Sequence, residues 1–375
     1  MTSYKKNTLL IIRWVVGLLF IFSGLIKAND PLGLSYKMQE FFEAWNWYTF
    51  NNYTLALSLV MNVFEVLAGI AVIIGWRMKL FTWLLLLLIT FFAFLTGYAL
   101  FSGKIKTCGC FGDCLPLTPG ESFTKDLILF ILILILFINR NQISSNVRTF
   151  AAVTVLMLCI VSVSALQAYV MQHLPLLDCL PYKKGNNILK EMQPPPNAVP
   201  DSVVMVFKYR KNNKIIEYSM NDLPADLDST YEFIDRSDKV VRHGNATPPI
   251  TDFALSTLEG NDTTSAILNS TQYNVMLFAK DFENYPKWNN KRFRELQQIL
   301  QQKNIHLFII TADKQNGATL FGNKNNITVL LCDATVIKTA ARVNPTYFVM
   351  KGADIINKFS YVDLANNISS IEKLP

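Results

Sequence analysis

The chain has 375 residues, of which 51% are hydrophobic and only 17% charged, with a formal net charge of +7. That is unusually apolar for a soluble protein. The charge is spread over both halves, with no dense basic run interleaved with aromatics, which argues against nucleic acid as a partner. The length allows two or three domains, and the apolar excess lies in the first half.

A bilayer-spanning helix needs about 20 largely apolar residues. Residues 8–27, 53–75, 79–101 and 150–171 supply them or nearly do, and 126–138 reaches across with its flanks from Ser122 to Arg140. The first segment starts with Lys5-Lys6 but lacks a small-x-small cleavage site, so it reads as a retained helix. Five spans place the chain ends on opposite sides. Lys5-Lys6 and residues 77–79 and 140–148 are basic and free of acidic residues, which assigns them to the cytoplasmic side. Lys104, Lys106 and Lys125 weaken that bias. Residues 28–52, the loop 102–124 and everything after Met171 are then expected outside, in an oxidising compartment where disulfides persist.

Glu65 lies near the middle of its span, where a lone carboxylate costs about 2–3 kcal/mol or more. Arg13 enters from the inner side at a depth differing by roughly 8 Å, and the two are expected to form an intramembrane ion pair. Such a pair fixes helix rotation; a proton path or a quinone site is the functional alternative. Cys159, inside the last span, reads as a packing residue. Tyr169, His173, Asp178 and Cys179 cluster at the outer edge of that span and read as interface anchors.

The run Cys108-Gly109-Cys110-Phe111-Gly112-Asp113-Cys114 puts three cysteines within seven residues. A bridge between Cys108 and Cys110 is strained, because ordinary bridges want Cα atoms ~5.5 Å apart. Strain raises the reduction potential, which suits an oxidant that passes its bridge on. Gly109 and Gly112 let the backbone turn, and Lys104 and Lys106 would favour thiolates. Cys114 and Cys179 both fall at the outer edge, so a bridge between them would tie the loop to the last helix. Three chemistries stay open: a redox-active pair at Cys108 and Cys110, a static staple, or a zinc or copper site. The metal site lacks a Cys-x-x-Cys pair and a histidine in the loop, although His173 could approach.

After His173 the composition changes. Pro194-Pro195-Pro196 and Pro200 mark a stiff linker. Residues 203–209 and 214–218 read as a strand pair across 210–213, and 231–241 as a further strand. From 247 strands and helices alternate: strands at 253–257, 274–279, 305–310 and 328–332, a helix at 287–302, and a hairpin of 346–350 with 355–359. That pattern argues an α/β layer. His243 and His306 have no partners suggesting metal or triad chemistry.

The order of elements from 247 to 374 resembles the thioredoxin fold, in its membrane-anchored thiol–disulfide and peroxiredoxin-like branch. Pro249-x-x-Asp252-Phe253, the strand 275–278 and Asn344-Pro345 carry the likeness, which implies a cis bond before Pro345. The redox motif should follow Ala279. The chain instead reads Lys280-Asp281-Phe282-Glu283-Asn284-Tyr285-Pro286-Lys287-Trp288, without cysteine. Thiol exchange needs a thiolate, so this domain is expected to be inactive. Cys332 closes a strand and reads as a buried core residue.

The membrane half resembles the DoxX-like superfamily and, within it, the MauE family of redox-associated membrane proteins. Arg13-x-x-x-Gly17-Leu-Leu-Phe20-Ile-Phe-Ser23-Gly24-Leu-Ile-Lys27, then Glu65 with Gly69 and Gly75, and the Cys108-Gly109-Cys110-Phe111-Gly112 string carry this likeness over residues 5–140. It implies a link to disulfide formation outside the cytoplasm. It does not carry over a methylamine pathway.

The expected architecture is a membrane all-α bundle of about five spans followed by a periplasmic α/β thioredoxin-like domain. The divisions are 1–140 for the DoxX/MauE-like domain, 141–172 for the fifth helix, 173–246 for a linker and small β module, and 247–375 for the degenerate thioredoxin-like domain. The expected function is that of an inner-membrane thiol–disulfide accessory protein. Its loop cysteines exchange disulfides with a periplasmic client or redox partner and draw oxidising power from a membrane quinone. The alternative is a non-enzymatic anchor or assembly subunit with structural disulfides. A transporter built on Glu65 is unattractive without visible inverted repeats.

Overall fold

The computed structural model describes residues 3–375 except 106, 146, 201, 212–213, 221, 225–226, 229, 243, 245 and 323–325. Lys106 and His243 lie outside the described residues. The first half is helical: α1 (Ser3–Asn29), α2 (Pro31–Ala44), α3 (Thr54–Ile74), α4 (Met78–Ser102), α5 (Pro119–Ile138) and α6 (Thr149–Val170). Among the described residues, four helices are long and apolar enough to cross a membrane: α1, α3 with the turn before it, α4 and α6.

The helix α5 has 20 residues, about 30 Å of rise. It starts well before the apolar run at 126, because Thr118 and Glu121 form a reciprocal capping box and Pro119 fills the first helical turn. Its opening turns therefore carry Glu121, Lys125 and Asp126. Helix α2 lies within residues 28–52, for which the sequence reading named no element. Asp30 caps it by accepting from the Gly33 amide at 3.0 Å, and Pro31 presets the first turn.

Helices α1 and α3 run antiparallel at close range. A Cβ on Gly69 would stand 2.6 Å from the Gly17 carbonyl, and one on Gly24 would stand 3.1 Å from the Glu65 Cβ. Only residues without a side chain permit this approach, and they fix the helix register. The register puts Arg13 beside Val72 and Ile73, whose carbonyls it binds. That is two turns, roughly 12 Å, from the level of Glu65. Helix α6 docks on α3 through a buried Asn62–Gln167 hydrogen bond of 3.1 Å.

After α7 (Ile188–Glu191), three strands form a small sheet: β1 (Ser202–Lys211), β2 (Lys214–Ser219) and β3 (Glu232–Arg242), in the order β2-β1-β3. The larger C-terminal unit follows as α8 (Thr264–Leu268), β4 (Tyr273–Ala279), α9 (Tyr285–Trp288), α10 (Lys291–Gln302), β5 (His306–Thr311), α11 (Lys314–Phe321), β6 (Ile327–Leu331), α12 (Ala334–Ala340), β7 (Thr346–Lys351), β8 (Asp354–Ser360) and α13 (Leu364–Glu372). Its sheet has the order β6-β5-β4-β7-β8. Strands β4, β5 and β6 are parallel, while β7 and β8 are antiparallel to their neighbours. Alternate residues of β4 feed two cores. Val275 and Leu277 meet Phe293, Leu296 and Leu300 of α10, and Met276 and Phe278 meet Ile337 and Ala340 of α12. A central strand covered on both faces reads as an unbroken apolar run.

Two details depart from the sequence reading. Residues 253–257 form no strand, only isolated bridges at Ser256. The Leu255 backbone is instead taken up by the hydroxyls of Thr263 and Thr264. Tyr182 and Ile188, assigned to a linker, are buried in the C-terminal core, and the segment around them bonds to the backbone at Ala353 and Ile355. The Asn344–Pro345 bond is cis.

The C-terminal unit rests on the end of the bundle that carries the cysteine loop. Arg342 is 6% exposed. It reaches Asp30 at 2.7 Å and Asp113 at 2.6 Å. Lys358 binds Asp178 at 2.7 Å. Asn29 exchanges two hydrogen bonds with the Leu177 backbone, at 2.9 and 3.1 Å.

Candidate functional site

The loop between α4 and α5 folds back onto the bundle. Gly109 and Gly112 take left-handed backbone angles, φ +67° and +57°, which residues with a side chain rarely adopt. The turn brings the Cys110 carbonyl to Ser23 of α1, at 3.0 Å. Phe111 packs on Phe22 at 5.7 Å between ring centres, under the Lys125 ammonium at 5.0 Å.

Glu65 does not pair with Arg13. Its carboxylate is fully buried and bonds to Lys27, only 3% exposed, while Ser23 donates to its second oxygen at 2.9 Å. The α1–α3 register explains this. It sets Gly24 against Glu65, so Lys27 lies one turn beyond it, while Arg13 is drawn to the C-terminal end of α3. The last carbonyls of a helix lack intrahelical partners and carry negative potential; Arg13 satisfies those of Val72 and Ile73.

A second ion pair, on α5, has one buried member and one half-buried one. Asp126 is fully buried, with Lys125 at 2.8 Å and the Thr96 hydroxyl donating at 3.0 Å. Sequence reasoning assigned no role to Ser23, Lys27, Ser122, Lys125 or Asp126. The available signal was spacing. Ser23 and Lys27 recur four apart on one face of α1, and Ser122 and Asp126 do so on α5.

Cys108 and Cys110 are free thiols, whereas Cys114 is bridged to Cys179. Burial is the largest influence on both free thiols, and it raises the pKa of each. Cys108 is pushed up to about 11. Lys125 and Lys27 pull Cys110 the other way without overcoming burial. This corrects the expectation that neighbouring lysines make thiolates. Among the described residues, Lys104 is exposed and the cations acting on the pair are Lys27 of α1 and Lys125 of α5.

Beside the thiols lies a cavity of about 150 Å³. Its walls are largely apolar and aromatic, with Phe41, Trp45, Phe91 and Phe92 among them, and Ser23, Lys27, Lys37, Thr96 and Lys125 are among its polar lining residues.

The remaining sequence candidates lie apart from this cavity. His173, which a metal site would have needed, bonds to Asp363 at 2.8 Å and stacks on Tyr169 at 4.2 Å. Cys159 is buried in the bundle. Cys332 is buried in the C-terminal core, where burial pushes its thiol up to about 12. His306 bonds to Thr328 at 2.8 Å. Pro345 precedes β7. The loop after β4 is closed by Asn344, which donates to both the Asp281 carbonyl and its carboxylate.

Residues 5–139 match the family model described as methylamine utilisation protein MauE. Residues 203–243, the small three-stranded sheet, match a domain of unknown function, DUF8463. No curated protein and no solved structure gives a match.

Proposed function

We propose that this chain is a membrane redox accessory protein whose loop thiols, Cys108 and Cys110, exchange disulfides with a partner protein outside the cytoplasm. In this reading α1, α3, α4, α5 and α6 cross the inner membrane. The basic, acid-free turns at 75–79 and 139–148 face the cytoplasm. The C-terminal unit lies in the periplasm. Its strand order supports the thioredoxin-like resemblance, and without cysteines after β4 it serves as a platform for the partner.

One observation carries the reading. A single loop holds a bridged cysteine and two unbridged ones, and the unbridged pair faces ion pairs and a cavity. Cys114 satisfies the need for a staple, which leaves Cys108 and Cys110 for exchange. A second reading, a non-enzymatic anchor, draws on the Cys114–Cys179 bridge and the Arg342 contacts, which serve assembly equally well.

The test is trapping in cells. Cys108→Ser or Cys110→Ser should accumulate a mixed disulfide with a partner, released by reductant and absent from the double variant. If no adduct forms and both thiols stay free in oxidising cells, the anchor reading stands instead.

A further inference from the structure

We propose that the cavity beside Cys108 and Cys110 binds the ring of a lipid-soluble quinone, which takes the electrons of the two thiols. The inference rests on the reading of Cys108 and Cys110 as an exchanging pair and names their electron acceptor.

Size comes first. An apolar cavity of about 150 Å³ admits a ring the size of benzene. Aromatic walls favour a flat π-system, through offset or edge contacts.

Polarity narrows the ligand further. Three lysines line the cavity, and the ammonium of each is held by a carboxylate: Lys27 by Glu65, Lys37 by Glu40 and Lys125 by Asp126. None of these carboxylates lines the cavity. The site therefore offers N–H donors without free positive charge. That suits a neutral ligand with oxygen acceptors better than an anionic headgroup. The same donors stabilise the negative charge that grows on such oxygens during reduction.

Access points to the lipid phase. Leu57 of α3 and Phe91 of α4 line the cavity, yet are 43% and 44% exposed on the outside of the bundle. Both belong to helices long and apolar enough to cross a membrane. The exposed sides of these two lining residues lie where acyl chains would be.

Stoichiometry closes the argument. Joining two thiols as a disulfide breaks two S–H bonds, forms one S–S bond, and releases two electrons and two protons. A quinone takes all four to form two O–H bonds, leaving as hydroquinone. The C-terminal unit offers no acceptor, since Cys332 is buried in its core.

The test uses the full chain, with Cys108 and Cys110 as thiols and the Cys114–Cys179 bridge intact, in phosphatidylcholine nanodiscs with a short-tailed ubiquinone analogue. Binding is read as the part of tryptophan quenching lost on Trp45→Phe. Oxidation is read by alkylation and mass of the 108–110 peptide, alongside hydroquinone formation. Saturable quenching is expected, with one hydroquinone formed per thiol pair lost. Cys108→Ser/Cys110→Ser should still quench but form no hydroquinone. Leu57→Phe/Leu95→Phe, which fills the cavity, should weaken binding about tenfold or more, provided the Cys114–Cys179 bridge still forms. Absence of quenching while diamide oxidises the loop thiols would overturn this inference and leave the proposed function standing. Quenching with no thiol loss to either quinone or diamide would overturn both. Equal displacement by decanol would show an acyl-chain groove and overturn the quinone assignment.

Discussion

Lys27 and Glu65 give the sharpest quantitative test of the bundle. Both side chains are buried, at 3% and 0% exposure. Removing one partner of a buried ion pair leaves an uncompensated charge and costs about 3–5 kcal/mol, whereas replacing both with apolar residues of similar size is often neutral or stabilising by about 1–4 kcal/mol. Lys27→Met and Glu65→Leu should therefore each destabilise strongly, and the double variant should recover most of the loss. The coupling should be several kcal/mol, measured by unfolding in mixed micelles across a double-mutant cycle. Arg13 is the control. Arg13→Met loses two hydrogen bonds to the end of α3, worth about 1.5–3 kcal/mol each because the donor is charged. Its effect should add to that of Glu65→Leu within about 0.5 kcal/mol, since the sites share no partner. If Glu65 couples to Arg13 more strongly than to Lys27, the register drawn from Gly17, Gly24 and Gly69 is wrong.

Three further outcomes follow from the loop and its contacts. Trypsin cleavage at Arg140 or Arg148 should leave two fragments that run together on a gel without reductant and separate with it, because Cys114–Cys179 spans the cut; separation without reductant would show the bridge absent. Cys108, raised from an ordinary 9.0 to about 11, should stay a neutral thiol through pH 9. Its alkylation by iodoacetamide at pH 8 should be about a hundredfold slower than that of an unhindered thiol, and should climb steeply between pH 9 and 11. A rate that levels off below pH 9 would show a thiolate already stabilised. Arg342→Gln should weaken docking of the C-terminal unit by about 1.5–3 kcal/mol for each charged hydrogen bond lost, seen as faster hydrogen exchange at residues 30–36 and 177–180; unchanged exchange would mean that the Asp30 and Asp113 contacts carry little.

The apolar helices were legible because a membrane imposes a length and a composition that few other structures need. The central strands β4 and β7 of the C-terminal sheet were legible for a related reason, as each is a short apolar run buried on both faces. Three things were not. Helix α2 hides behind mixed polarity, and its signal is local: Asp30 before Pro31. The partner of Glu65 depends on how two helices slide past each other, which is set by close contacts at Gly17 and Gly69 and not by counting from the helix ends. The state of the loop thiols depends on burial, a tertiary property that outweighs nearby lysines. Residues 253–257 look like a strand in isolation, yet the Thr263 and Thr264 hydroxyls satisfy the backbone that a neighbouring strand would otherwise pair.

The bridge and the ion pairs also bear on how a loop can hold thiols ready without losing them. Cys114–Cys179 closes a separation of 65 residues, which in the chain-entropy model stabilises the fold by about 4 kcal/mol. Asp113, next to Cys114, is held by Arg342 of the C-terminal unit, and Cys179 adjoins Asp178, held by Lys358. One limb of the loop is therefore fixed to the C-terminal unit on two sides. The other limb, from Cys108 to Phe111, is held to the bundle by the Ser23 hydroxyl, by Phe22, by Lys125 above Phe111 and by packing of Cys108 beside Phe41 and Ala99. Ser23 has one hydroxyl hydrogen to share between Glu65 and the Cys110 carbonyl, so the contact that holds Cys110 competes with the one that holds the buried carboxylate. Movement of the thiols toward a partner would release that hydrogen entirely to Glu65, which lowers the cost of lifting the limb. In the proposed reading the C-terminal unit, lacking cysteines after β4, would act on the exchange by fixing the limb that stays in place.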